Sequence, residues 1–358
     1  MKLFDAFNLS DFALSSRVVM APLTRRRSTR NNAPVSFMAD YYGQRASAGL
    51  IISEGTSPSP HGVGYCNMPG LFNEEQLEAW KPCTRAVHER GGKIFLQVMH
   101  SGRIGHPNNL PENAKLLGPS AIAQVGEIST YDYDKQAYPK PEAMTREDVN
   151  AAIQEFVTCS HLAMQAGFDG IEIHGAHGYL PNQFINASSN IRTDEYGGTR
   201  SNRLRFLLDV IDGCAAAIGA EKVGLRISPF SYADVQEDPI ELETTYKELV
   251  SQLNTRQLAY LHLSHMGEGT PQKFNLWKEI RKDYNGSLIL CGDFTKETAE
   301  KALQENEADL IAFGRDFIAN PDLVERLKNN WTLAERDRAH WYTLGKEGYS
   351  DYKNYNKH

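Results

Sequence analysis

The chain reads as one (β/α)8 TIM barrel of the α/β class, and three observations lead there. Eight short aliphatic, β-like stretches recur, at 17–23, 49–55, 93–99, 169–174, 222–228, 258–265, 287–293 and 308–315. Helical patterns fall between them, at 73–90, 146–166, 201–218, 240–253, 271–283 and 296–305. The length, 358 residues, exceeds the roughly 250 that such a barrel needs and leaves a surplus for additions. Eight alternations of strand and helix favour a closed parallel barrel over two doubly wound halves.

Taken in order, residues 1–16 look like a short N-terminal hairpin ahead of the first strand. The second strand runs from Gly49 to Gly55 and is followed by the helix at 73–90. In the third strand Ile94, Leu96 and Val98 alternate with Phe95, Gln97 and Met99, so the second set faces the barrel interior. The proline-bearing stretch 101–144 then reads as a capping excursion over the catalytic face, between strand three and helix three. That helix opens on a box-like Thr145-x-x-Asp148 and stops at Gly167. Strand four sends Glu172 and His174 inward, and strand five sends Gly224, Arg226 and Ser228. Strands seven and eight end at Cys291-Gly292-Asp293 and Phe313-Gly314-Arg315. A tail at 328–358, rich in Trp, Tyr and Gly, completes a single domain 1–358 without linker, repeat or low-complexity segment.

Composition excludes several classes. Hydrophobic content of 41% and charged content of 23% describe an ordinary globular chain. A net charge of -7 argues against nucleic acid or an anionic membrane as main partner. Arg25-Arg26-Arg27 is a local exception, read as a solvated or ion-paired loop in preference to a polyanion site. Asp5 and Asp11 interrupt any apolar leader-like run, and no run reaches membrane-spanning length. The five cysteines are scattered with no CxxC pair, so neither a disulfide framework nor a cluster site is supported. The expected location is the cytoplasm.

Strand alternation brings Gln97, Glu172, His174 and Arg226 together near the strand ends. A charged, polar layer inside a barrel that is usually aliphatic is costly unless it binds something. The plainer alternative is a self-satisfied Glu172–Arg226 ion pair. Just beyond strand four, His174-Gly175-Ala176-His177-Gly178-Tyr179 puts two imidazoles and a phenol within six residues. Imidazole N–H groups can hydrogen-bond a substrate oxygen that gains negative charge, and a phenol, with pKa about 10, can hand over a proton. Zinc is the competing use of His174 and His177, but two histidines leave its coordination incomplete unless Glu172 or His262 joins; no metal is expected. At the ends of strands seven and eight, Gly292 and Gly314 let backbone amides approach a ligand, and Arg315 adds a bidentate partner, which suits phosphate.

These residues resemble the Old Yellow Enzyme family of FMN-dependent ene-reductases, almost from end to end. The resemblance runs through Ala21-Pro22-Leu23-Thr24-Arg25, Tyr41-Tyr42-Gly43-Gln44-Arg45-Ala46, Gly49-Leu50-Ile51-Ile52-Ser53-Glu54 and Gln97-x-Met99-His100-Ser101-Gly102-Arg103. Its most specific part continues from His174 through Asn182-Gln183-Phe184 to Arg192-Thr193-Asp194-Glu195-Tyr196-Gly197-Gly198 and Asn202-Arg203. Phe313-Gly314-Arg315 and Ile318-Ala319-Asn320-Pro321-Asp322-Leu323 close it.

The resemblance implies noncovalent FMN and NADPH or NADH as hydride donor. In the implied reaction NAD(P)H reduces FMN. Hydride from FMN N5 and a proton from Tyr179 then reduce the activated C=C of an α,β-unsaturated carbonyl or nitro compound, with nitroesters and quinones as further acceptors. It assigns Thr24 to the flavin C4 carbonyl, Gln97 to the pyrimidine edge, Arg226 to N1 and O2, and main-chain contacts to Pro22, Leu23 and Gly55. Gly292, Gly314 and Arg315 become the phosphate grip. His174 and His177 hold the substrate oxygen, and Tyr65 and Met99 line the substrate side. Thr24 resembles the threonine-bearing branch. His177 stands where many relatives carry asparagine, and Met99 where several carry tryptophan, which reshapes the pocket. Expected partners are small activated alkenes, with neither nucleic acid nor membrane, for a monomer or homodimer. A flavin-binding sensor is the non-enzymatic alternative, but it needs no proton donor. The aromatic tail either covers the FMN phosphate end or forms a dimer contact.

Overall fold

The computed structural model describes residues 1–131, 134–231, 236–264 and 271–355. Residues 1–16 carry a hairpin of β1 (Phe7–Leu9) and β2 (Phe12–Leu14). The barrel strands follow: β3 (Val18–Met20), β4 (Leu50–Ile52) and β5 (Ile94–Val98) precede the excursion, whose short strands are β6 (Leu117–Gly118), β7 (Glu127–Ser129), β8 (Lys135–Ala137) and β9 (Glu142–Ala143). Beyond it come β10 (Gly170–His174), β11 (Val223–Ile227), β12 (Tyr260–Ser264), β13 (Leu288–Cys291) and β14 (Leu310–Phe313). The strands β3, β4, β5, β10, β11, β12, β13 and β14 pair in parallel, and β14 closes on β3. This is the predicted (β/α)8 barrel. The sixth expected strand reached position 265, which lies outside the described residues.

Why the barrel closes is visible in its two layers. Outward residues such as Ile94, Leu96, Val98, Ile171, Ile173, Leu225 and Ile227 pack in one apolar cluster with Phe156, Phe206, Val210 and Tyr246. Those partners lie on helices α3 (Arg146–Gln165), α5 (Arg200–Ile218) and α6 (Pro239–Leu253). Helix α3 begins with a reciprocal capping box between Thr145 and Asp148, and Gly167 beyond its end sits at φ +88°. Inward residues Val19, Leu50, Ile52, Phe95, Tyr260, Ile289 and Leu310 fill the lower interior. Leu9 and Leu14 of the hairpin join that cluster, and the Phe12 ring meets the Phe95 ring edge-on at 5.5 Å. The lower end of the barrel is therefore stoppered by apolar side chains.

Helices α2 (Glu74–His88), α7 (Pro271–Asp283) and α8 (Lys296–Gln304) agree with the sequence reading. Four others were not foreseen: α1 (Phe37–Gln44), α4 (Leu180–Ile185), α9 (Asp316–Ala319) and α10 (Leu323–Asn329). They are short, and α4 is buried along its whole length, so it presents no polar face from which a helical period could be read. In the excursion β7 and β8 form an antiparallel ribbon and β6 pairs with β9, while residues 132 and 133 lie outside the described residues.

Candidate active site

The site grows out of the end of β10. After His174 the chain turns sharply: His177 sits at φ +55° and Gly178 at φ +81°. Histidine, like asparagine, tolerates the left-handed region better than branched residues do. The turn is held from several sides. Gly175 N–H donates to Arg226 O at 2.8 Å, and His177 N–H to Ser228 Oγ at 2.8 Å. Gly178 N–H donates to Asn182 Oδ1 at 2.8 Å, and Gln183 Nε2 to Gly178 O at 2.7 Å. Tyr179 then caps α4, so the elbow rests on a buried helix rather than on a loose loop.

The three side chains converge. The His174 and Tyr179 rings are 4.7 Å apart, and the His174 and His177 rings 5.8 Å apart at right angles. Burial, with Arg226, His177 and His262 nearby, holds the His174 imidazole far below its usual pKa and therefore neutral. Its Nδ1 accepts the Ala176 N–H at 3.3 Å, which leaves the single ring proton on Nε2. His177 Nε2 shares a hydrogen bond of 2.8 Å with Ser264 Oγ at the end of β12.

Beneath them lies the polar layer. Glu172 Oε2 bonds His262 Nδ1 at 2.7 Å, and Glu172 Oε1 accepts from Gln97 Nε2 at 2.8 Å. Burial alone would raise the Glu172 carboxyl, but the His262 imidazolium, Arg226 and the Gln97 amide outweigh it and hold it low. Burial works against protonation of His262 too, and the Glu172 carboxylate wins, raising it. The expected alternative of a Glu172–Arg226 pair is thus replaced by Glu172–His262. Arg226 instead touches Cys291 Sγ at 3.7 Å, and its buried Nε has no hydrogen-bond partner among the described residues.

A cavity of about 380 Å³ opens above this layer. Of the residues expected from sequence, Pro22, Leu23, Thr24, Tyr65, Gln97, Met99, His174, His177, Tyr179, Arg226 and Arg315 line it together. Gly55 does not: it lies behind Met99, where a Cβ would come within 2.6 Å of the Met99 Sδ. Gly292 and Gly314 follow β13 and β14, which are neighbours in the barrel, and are not among the lining side chains. A Cβ on Gly314 would meet nothing nearer than Leu23 Cδ2 at 3.6 Å. Protein packing therefore does not require that glycine, and its backbone is left open to a ligand. Among the described residues, no three metal-ligating side chains gather as a metal ion would need.

Arg25, Arg26 and Ile318, which the sequence reading does not place there, also line the cavity, as do Trp341 and Tyr342 of the aromatic tail. Arg25 and Arg26 directly follow Thr24, and the tail aromatics are those that the sequence offers as a cover for the FMN phosphate end or as a dimer contact. The arginine triplet itself is a correction. Arg25 and Arg27 are 1% and 2% exposed rather than solvated. Arg25 donates to Trp341 O at 3.0 Å and Gly348 O at 2.6 Å, and Arg27 to Trp341 O and His340 O at 2.7 Å each. Two buried guanidinium groups thus gather the tail carbonyls, and Tyr349 stacks on Tyr41 at 4.0 Å beside them.

A parallel barrel with a polar floor, arginines at the cavity in excess of its carboxylate–imidazolium pair, and a phenol beside a neutral imidazole suits a flavin-dependent oxidoreductase. Residues 2–334 match the model of the NADH:flavin oxidoreductase / NADH oxidase family, and the chain belongs to that family. It is 40% identical over 344 residues to a probable flavin mononucleotide-dependent alkene reductase of Leishmania infantum, covering 95% of this chain and 93% of that one. It is 39% identical over 370 residues to 12-oxophytodienoate reductase 7 of Oryza sativa subsp. japonica, covering 98% and 94%. Among solved structures, the old yellow enzyme homologue from Zymomonas mobilis superposes with a TM-score of 0.93 at 40% identity over 99% of both chains. Morphinone reductase gives 0.93 at 38% identity, over 99% of this chain and 96% of that one. The Old Yellow Enzyme resemblance seen in the sequence is therefore one of family membership, and the chain is an FMN-dependent oxidoreductase fed by NAD(P)H.

Proposed function

We propose that this pocket reduces the activated carbon–carbon double bond of α,β-unsaturated carbonyl and nitro compounds, with Tyr179 as proton donor. The observation that carries the reading is the conjunction of the Tyr179 phenol with a neutral His174 whose only N–H is on Nε2. His174 and His177 bind the substrate oxygen and take up the negative charge that grows there; losing one such donor costs about 2.7–4 kcal/mol. Tyr179 delivers a proton from its Oη to the carbon next to the activating group.

FMN fits the rest of the pocket. Thr24, Gln97, Arg226 and the Pro22–Leu23 backbone would hold the ring, and Gly292, Gly314 and Arg315 the phosphate. The unpartnered buried Nε of Arg226 and the open backbone at Gly314 support that assignment. When bound, FMN supplies the hydride chemistry, and the protein supplies orientation and electrostatics. Arg226 would balance negative charge at the pyrimidine edge of the bound ring. NADPH or NADH is the donor; a relative, morphinone reductase, has been solved in complex with tetrahydroNAD. We read the chain as acting on small molecules in the cytoplasm, as monomer or homodimer. The net charge of -7 disfavours a nucleic acid or an anionic membrane as main partner, and among the described residues no helix is long and apolar enough to cross a membrane.

The test is direct. The purified protein should show a flavin absorption spectrum and release FMN, not FAD, on heating, and NADPH should drive reduction of a simple enone. Release of FAD, or flavin reduction without any enone turnover, would overturn the assignment.

A further inference from the structure

Four arginines line the cavity: Arg25, Arg26, Arg226 and Arg315. Arg226 and Arg315 belong to the cofactor side in the reading above, and Arg25 is committed to carbonyls of the tail. Arg26 is left. Its neighbours on both sides are anchored into the tail, and Arg26 itself sits at φ +56°, a conformation that turns its side chain away from theirs and into the cavity. The guanidinium lies over the Tyr65 ring at 4.9 Å and the Tyr342 ring at 5.2 Å. Tyr65 in turn bonds the Tyr179 hydroxyl at 3.0 Å, so this cation stands one tyrosine ring away from the proposed proton donor. Its Nε is buried without a hydrogen-bond partner, and it enters none of the ion pairs among the described residues.

A guanidinium gripped by two aromatic rings is oriented in advance, and its planar fork matches a carboxylate bidentately. Partly withdrawn from water and paired with no acid among the described residues, it gains more from an incoming anion than a surface arginine would. We propose that Arg26 determines specificity, selecting alkenes that carry a carboxylate on the arm leading away from the activated double bond. This rests on the alkene-reductase reading of the same pocket. The plainer role, a cation–π clip that fixes the tail, predicts no discrimination between charged and neutral substrates.

The test uses the FMN-loaded protein with cyclohexenones bearing a carboxymethyl or carboxypropyl arm, and the methyl esters of both. The wild type should favour acid over ester in kcat/KM by about tenfold or more, a ratio that shrinks as salt screens the pair. Arg26→Gly removes the guanidinium at a position whose φ glycine accepts without strain, and should bring the ratio close to one. Arg26→Lys should keep part of it. Dissociation constants for acid and ester, read from flavin absorbance of the oxidised protein, should move in parallel. Equal wild-type turnover of acid and ester, or an Arg26→Gly ratio unchanged from wild type, would overturn the proposal. So would an Arg26→Gly defect confined to flavin reduction by NADPH, which would assign the cation to a coenzyme phosphate. If nicotinamide reduces the flavin but neither acid nor ester reoxidises it, the alkene-reductase reading fails, and this one with it.

Discussion

The phenol oxygens of Tyr65 and Tyr179 lie 3.0 Å apart, with their rings edge to face. Two residues 114 positions apart in sequence thus share one hydrogen bond at the centre of the site. As Tyr179 gives up a proton, Tyr65 can turn its own O–H toward the developing phenolate. Tyr65→Phe should therefore slow reoxidation of reduced flavin by an enone about three- to tenfold, the worth of one hydrogen bond, while leaving flavin reduction nearly as it was. An equal effect on both half-reactions in stopped flow would make Tyr65 a wall rather than a helper.

Tyr179→Phe removes the proton itself. Reoxidation by a simple enone should fall by roughly 10²–10⁴-fold, with near-normal flavin reduction by nicotinamide. Nitroalkenes should suffer less, because their product anion can leave and take a proton from water. His174→Ala should weaken enone binding as well as slow its reduction, since the oxygen loses a donor in ground and transition states alike. Equal damage by Tyr179→Phe to both half-reactions would make the phenol structural.

His177 occupies a left-handed backbone position. His177→Asn should keep the turn, whereas His177→Val should be less stable than the asparagine variant by about 1–2 kcal/mol. Urea unfolding of the two proteins decides this, and equal midpoints would mean that the turn relaxes freely.

His100 gives stability a pH dependence of definite sign. Burial and the nearby His61 lower its pKa to about 3, although Glu155 Oε2 lies 3.8 Å from its Nε2. The unfolded chain takes up this proton at about pH 6.5. Above that pH the group contributes nothing. Below it the unfolded state binds a proton that the folded state refuses, so stability falls by roughly 1.4 kcal/mol per pH unit until pH approaches 3. His100→Asn, which can still accept the Gly102 N–H now bonded to Nδ1, should flatten the unfolding free energy over that window. An unchanged slope would place the acid sensitivity elsewhere, with His174 the first candidate.

Much of this was legible in the sequence because buried parallel strands are short unbroken aliphatic runs, and because alternation says which side chains enter the barrel. It named the polar layer but not the pairing inside it. Glu172 reaches His262 on β12, past the intervening β11 that carries Arg226, and alternation gives a residue's level without saying how far around the barrel it extends. The arginine triplet misled for a different reason. Arg25 and Arg27 are buried by carbonyls more than 300 residues away, and no local pattern announces a backbone acceptor. Helix α4 escaped because a fully buried turn has no period to read.

The hairpin fills the lower barrel with apolar side chains, so among the described residues no passage reaches the cavity from that end. Donor and alkene cannot arrive from opposite ends and must queue for the same threshold. On the proposed function, each supplied in excess should therefore slow the other's turn, and initial rates measured over both concentrations would show it.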